Sequence, residues 1–153
     1  MINARGETAA EKPFFRAAFK RRRCLVLADG WYEWKRIGGT KQPYLLRLPD
    51  NEPFAFAGLW ETWQNPQDEE AKPMESCTII TTSANEQSQD VHDRMPVILG
   101  KNSYDQWLDP QFHDRKILES HLTSYGGKLV IEAVSSRVNR TQNDDPQCVE
   151  PVS

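Results

Sequence analysis

Cysteine is scarce in this chain of 153 residues: Cys24, Cys77 and Cys148 are the whole complement. None stands at C-x-x-C spacing, and the odd count leaves no complete pairing, so the pattern argues for a reducing compartment and against a zinc site. Cys24 and Cys77 lie in apolar, strand-like runs and are expected as small buried hydrophobes. Long apolar runs are missing as well. Nothing approaches the length that crosses a bilayer, and no signal peptide opens the chain; the simplest reading is a cytoplasmic, soluble protein with no membrane partner. A glycine-rich phosphate loop, a serine-hydrolase elbow and internal repeats are all absent. No His, Cys, Asp or Glu group has ligand spacing on one element, so neither a metal nor another cofactor is expected.

An excess of positive charge is lacking too. Lys and Arg number 19 against 22 Asp and Glu, a formal net charge of −3, which taken alone argues against a phosphate-rich partner. Distribution matters more than the sum. Acidic residues gather at 68–70 and at Asp144-Asp145, whereas Lys20-Arg21-Arg22-Arg23 is a compact basic run. That run reads equally as a solvated helix end favoured by the helix dipole or as a phosphate contact.

What is present suits one α+β domain over residues 1–153. Apolar content of 38% and charged content of 27% are ordinary for a globular chain with one core. Residues 9–20 carry Phe15, Ala18 and Phe19 at helical spacing, with Pro13 in the first turn, and predict a short helix. Strands are expected at 24–28, 31–35, 44–48, 54–63, 77–82, 97–99 and 128–134, with Gly38-Gly39 closing a hairpin. Gly58 marks a bend in the long strand, and 77–82 is β-branched enough to be central. One helical turn at 85–89, a helix capped by Ser103 and holding Trp107 and Leu108, and a second over 114–122 complete the pattern. A polar tail occupies 139–153. Short strands with few helices and no βαβ alternation give an α+β class built on curved, mostly antiparallel, barrel-like sheet.

The stretch from Arg23 to Lys35 holds one carboxylate among aromatic residues. If 31–35 is a strand, Trp31, Glu33 and Lys35 share one face while Tyr32 and Trp34 share the other. A carboxylate against an apolar ring is costly to ionise, so its pKa rises toward the range useful for proton exchange. A solvent-facing Glu on an edge strand is the alternative, and both readings stay open. Asn3 and His92 also stand beside strands. His92 can exchange a proton near neutral pH, and Arg94 two residues on could clamp a phosphate; a plain loop histidine is the competing reading. His113 and His121 read as surface residues.

Four motifs are more specific than their parts. Asn3-Ala4-Arg5-Gly6-Glu7-Thr8, Arg22-Arg23-Cys24-Leu25 through Ala28-Asp29-Gly30-Trp31-Tyr32-Glu33-Trp34, Thr81-Thr82-Ser83-Ala84-Asn85 and His92-Asp93-Arg94-Met95-Pro96-Val97-Ile98-Leu99 occur in the order and spacing of the SRAP family, the SOS response-associated peptidase-like proteins. The chain resembles that family from Asn3 to about Pro151. The resemblance implies a sensor of abasic sites in single-stranded DNA, acting in the SOS response, cytoplasmic and nucleoid-associated when bound to DNA. In the family an N-terminal cysteine condenses with the ring-opened sugar aldehyde and closes to a thiazolidine, crosslinking protein to DNA. Carried over, Asn3 orients the cysteine or the opened sugar, Glu33 handles the α-amine proton and His92 serves as general acid or base at the sugar oxygen. Arg5 and Arg94 hold flanking phosphates and Thr81 adds a backbone contact.

The departure from the family is at the start. Residues 1 and 2 are Met and Ile, and the segment with the family's terminal cysteine does not precede Asn3. The chain thus reads as a domain shortened at its N-terminus and inactive in crosslinking, with an uncovered sheet edge that invites a homodimer or strand exchange. Two further readings stand beside this one. A non-catalytic single-stranded DNA-binding module would use Arg5, Arg94 and exposed aromatics, and a peptidase would follow the family's name, though no serine or cysteine is paired with a base.

Overall fold

Alternating and helical side-chain patterns sort the chain into short elements in the computed structural model, which describes residues 1–68 and 70–152. Glu69 of the acidic cluster and Ser153 of the tail lie outside the described residues. In chain order these are β1 (Asn3–Arg5), α1 (Gly6–Ala9), α2 (Arg16–Arg21), β2 (Arg23–Ala28), β3 (Trp31–Ile37), β4 (Thr40–Arg47), β5 (Phe54–Trp63) and β6 (Met74–Ser83). They continue with β7 (Arg94–Pro96), α3 (Tyr104–Leu108), α4 (Arg115–Ser120) and β8 (Val130–Ala133). This is the expected α+β class, mostly antiparallel with few short helices, and its sheets are open paths. The chain divides into two compact units, one of Met1–Leu27, Ala55–Thr82 and Pro96–Tyr125, the other of Ala28–Phe54, Ser83–Met95 and Gly126–Ser153.

The first unit is built on strands in the order β1-β6-β5-β2. β6 lies inside the sheet, as its β-branched sequence predicts. Its pairing with β5 is antiparallel, but β1 joins it in parallel, with Asn3, Ala4 and Arg5 opposite Ile79, Ile80 and Thr81. Alternation places Ala4 and Ile80 in the core, at 2% and 0% exposure, and turns Asn3 and Arg5 to the other face. On the core side Ala57, Leu59, Val97 and Leu99 meet Phe19, Trp107 and Leu118 of the helices. Phe19 and Trp107 pack edge-to-face with centroids 5.9 Å apart. Gly58 answers a close approach by β2: an added Cβ would stand 2.8 Å from Cys24 Sγ and 3.0 Å from Val26.

Several expectations are corrected in this unit. Of the helix expected over 9–20 only the last part forms, as α2; it is separated from the earlier α1 by turns in which Lys12 N–H donates to Thr8 O (3.0 Å) and Phe15 N–H to Lys12 O (2.9 Å). Pro13 explains the break, since it has no N–H and disfavours a helical residue before it. The strand expected at 97–99 makes no continuous ladder. Val97 donates to Ile80 O and Leu99 to Ala55 O, so its bonds alternate between two neighbouring strands. Ser103 sits next to α3 but in a helical conformation, φ −95° and ψ −7°, and caps nothing; its hydroxyl meets His121 Nδ1 at 3.2 Å. Asp114 is extended and does cap α4, accepting from Ile117 N–H at 3.1 Å. Cys77 is exposed, because the first half of β6 has an exposed burial pattern; Cys24, on β2, is only half-buried, and Cys148, in the other unit, is buried.

The second unit is an antiparallel sheet in the order β3-β4-β8. The expected hairpin is present: Ile37 pairs with Thr40 across Gly38 and Gly39, whose φ values of +54° and +86° suit the two-residue turn that glycine favours. Trp31 packs edge-to-face on Phe54 at 6.0 Å. The tail folds back as well. Tyr32 Oη–H donates to Cys148 O (3.2 Å), Trp34 Nε1–H to Asn139 Oδ1 (2.7 Å), and Val134 bridges to Pro151.

Candidate functional site

The six residues singled out in the sequence fall into two groups, one in each unit. On β1, Asn3 and Arg5 are both exposed and flank the buried Ala4, so the alternation of the strand presents them together. Thr81 is in register with Arg5 and its hydroxyl lies 3.4 Å from Ala4 O, as a donor. Close packing behind this strand leaves little slack. An added Cβ at Gly6 would meet Leu122 and Thr81 O at 3.3 Å.

Glu33, His92 and Arg94 belong to the second unit. β3 alternates as expected: Tyr32 and Trp34 reach the tail, while Trp31 and Glu33 take the opposite face. Glu33 is half-buried, and burial pushes its carboxyl above the usual carboxylate range. The electrostatic interaction with His92 pulls it back. Trp31 also lowers it, offering its indole N–H in a geometry looser than a well-formed hydrogen bond, and Asp93 raises it further. A carboxyl so placed has a weaker preference for its ionised form than a solvated one.

The loop that carries His92 is tied at several points. Asn85 Oδ1 accepts from Ser88 N–H and from Ser88 Oγ–H, both at 3.0 Å; Ser88 O accepts from His92 N–H at 3.1 Å. Ala84 N–H donates to Asp93 O at 3.0 Å. Gln87 clamps the 126–129 segment, donating to Gly127 O and accepting from Leu129 N–H, each at 2.9 Å. His92 Nδ1 lies 3.0 Å from Arg94 N and 3.2 Å from Asp93 Oδ1. Arg94 N–H can donate to Nδ1 when the ring proton is on Nε2, and a proton on Nδ1 would face Asp93 Oδ1 and Arg94 O. The ring therefore has a defined partner in either state.

Trp31, Asp93 and the Asn85–Ser88 clamp were not singled out as site residues. Asn three positions before Ser, at the end of a β-branched strand, is a turn signal that would have found the last of these. The electrostatic partners of Glu33 come from the fold and leave no sequence spacing to read. Cys24 is no candidate nucleophile: burial, with Cys77 adding to it, pushes its thiol up to about 11. Among the described residues no three His, Cys, Asp or Glu side chains are grouped to hold a metal ion, and no helix is long and apolar enough to cross a membrane.

The profile of the SOS response associated peptidase (SRAP) family matches residues 1–141. The abasic site processing protein YoqW of Bacillus subtilis is 45% identical over 152 residues, a match that covers 98% of this chain and 66% of that protein. The abasic site processing protein HMCES of Gallus gallus is 33% identical over 171 residues, covering 98% of this chain and 50% of the relative. A crystal structure of a protein from Bacteroides thetaiotaomicron superposes with a TM-score of 0.88 at 29% identity, over 99% of this chain and 66% of that one. The chain thus spans about two thirds of the length of the Bacillus protein and half that of the Gallus one.

Proposed function

Since the chain belongs to the SOS response associated peptidase (SRAP) family, we propose that it serves abasic-site processing, with single-stranded DNA that carries an abasic site as its partner. The observation that carries this reading is the half-buried, proton-loving carboxyl of Glu33 within electrostatic reach of His92 and Asp93, in a chain whose relatives are named abasic site processing proteins. An abasic sugar opens to an aldehyde. Capture by an aminothiol first forms an imine, with loss of water from the amine and the aldehyde; the thiol then adds to the imine carbon, its proton going to nitrogen, and a thiazolidine closes. Glu33 would accept the ammonium proton that must leave before attack, and His92 would deliver a proton to the departing sugar oxygen. Asn3 would orient the opened sugar by hydrogen bonding, and Arg5 and Arg94 would pair with flanking phosphates, with Thr81 beside Arg5.

The aminothiol must offer a free α-amine and a thiol on one residue. Cys24, Cys77 and Cys148 all have their nitrogen in a peptide bond, so crosslinking by this route needs a version of the chain that begins on cysteine. The test mixes single-stranded DNA bearing one abasic site with the chain as it stands and with a version extended to an N-terminal cysteine, and resolves both on a denaturing gel. A shifted band for the extended version only is the expected result. A shifted band for the unextended chain would assign capture to another nucleophile and overturn the scheme.

A non-covalent single-stranded DNA-binding role is the second reading, favoured by exposed Phe14 (65%), Trp60 (39%) and Trp63 (53%) in the unit that carries Arg5. It requires equal affinity for strands with and without the lesion.

A further inference from the structure

Away from the residues assigned above, the first unit holds an open cavity of about 400 Å³ lined by α2 and α4 together with Ala10 and His113. That volume is in the range that takes up one large side chain and part of its neighbours. Its floor is apolar. Phe19 and Leu118 close the bottom at 4% and 1% exposure, and the small side chain of Ala17 leaves the space above them open. The rim is cationic. Arg16 and Lys20 stand one helical turn apart on α2, with His113 and Arg115 also on the wall. Arg115 is neutralised by Glu11 and Glu119, each at 2.7 Å. Among the described residues no carboxylate lies within ion-pair distance of Arg16 or Lys20, so their charge over an apolar floor is uncompensated. A nucleic acid strand fits this lining poorly, because Phe19 is too buried to give a base a ring face to stack on.

We propose that this cavity docks a short acidic peptide segment of a partner protein. A large apolar side chain enters over Phe19 and Leu118, and carboxylates beside it pair with Arg16 and Lys20. The arrangement follows the general division of a peptide site into an apolar anchor that supplies affinity and rim charges that supply selectivity and on-rate.

The test is fluorescence anisotropy of the full chain with a fluorescein-labelled peptide, a run of aspartates followed by phenylalanine. Binding that weakens with salt is expected, together with a loss on the order of tenfold for Arg16→Glu combined with Lys20→Glu. A comparable loss is expected for Ala17→Trp, which fills the cavity, and for a probe with alanine in place of phenylalanine. Arg16, Ala17 and Lys20 are exposed, so the variants should keep the parent circular dichroism spectrum. Failure of the parent chain to bind the probe overturns the proposal. So does binding that responds to the charge reversals but not to Ala17→Trp or the alanine probe, which would be charge attraction alone. Displacement of the probe by undamaged single-stranded DNA, dependent on Arg16 and Lys20, would also overturn it and assign the cavity to nucleic acid.

Discussion

Arg23 in the first unit and Glu33 in the second are both charged groups drawn out of water, and the protein treats them in opposite ways. Arg23 is 5% exposed, and its guanidinium donates to five backbone carbonyls: Phe19, Lys20, Trp107, Asp109 and Phe112. It also lies over the Trp107 ring, 5.8 Å from its centroid. Burial lowers its pKa and Asp109 opposes the shift, but a guanidinium starts so far above neutrality that it stays charged. Its donors are used on carbonyls in and just beyond the last turns of α2 and α3. Glu33 has no such set of donors. Burial disfavours its charge, and the compensation from His92 and a loosely placed Trp31 is partial. A buried charge that is fully bonded builds structure; one left partly uncompensated retains a proton equilibrium that chemistry can use.

The largest expected effect tests the structural side of that contrast. Arg23→Met should destabilise the chain by about 3–5 kcal/mol, because five carbonyls lose their donor inside a packed core; urea denaturation measures it, and a loss below about 1 kcal/mol would show that water replaces the guanidinium freely. The second prediction addresses chemistry. In the version that begins on cysteine, Glu33→Gln should slow crosslinking by about 10²-fold or more while leaving the fold intact, and an unchanged single-turnover rate would remove Glu33 from the proposed mechanism.

The same substitution carries a pH signature whose sign follows from the direction of the shift. A carboxyl with its folded pKa raised binds more protons in the native state than in the unfolded one. Its contribution to stability is present in full below the unfolded value and is lost as pH rises through the folded value. Stability should therefore fall across that window in the parent chain, and Glu33→Gln should flatten this part of the profile and be the more stable at neutral pH. Parallel profiles for the two proteins would contradict the raised pKa.

Asp114→Ala supplies an ordinary reference, the loss of one exposed helix cap at about 1 kcal/mol. The smallest effect belongs to Trp31→Phe. Removing the indole donor should raise the Glu33 pKa further, as followed by carboxyl-carbon NMR, with stability changed by less than the cap. A downward shift would mean that the indole does not donate to Glu33.

The basic run at 20–23 shows how far such distinctions could be read ahead. As a sequence it offered a helix end or a phosphate contact. In the fold Lys20 and Arg21 form the last turn of α2, Arg22 pairs with Glu61 at 2.6 Å and Arg23 is buried. Four adjacent cations thus have separate environments, because the chain passes there from helix into strand and successive side chains diverge. Glu33 was more legible. Strand alternation with Trp31 put it on a defined face, but the upward shift comes from burial in the fold, and Trp31 itself opposes it.

Local rules determined a good deal of this protein. Residues 54–63 are a strand with the expected bounds, Gly38-Gly39 closes its hairpin, and β6 lies inside its sheet, since period-two alternation, β-branching and positive φ act over a few residues. The family, too, is written in four linear motifs. Only the tertiary structure decided that β1 pairs in parallel with β6 and that Gln87 ties the 126–129 segment to the His92 loop. It also decided that buried Arg23 is fully bonded while half-buried Glu33 is only partly compensated. Those outcomes depend on desolvation and on partners tens of residues away, whose distances and orientations no local pattern encodes.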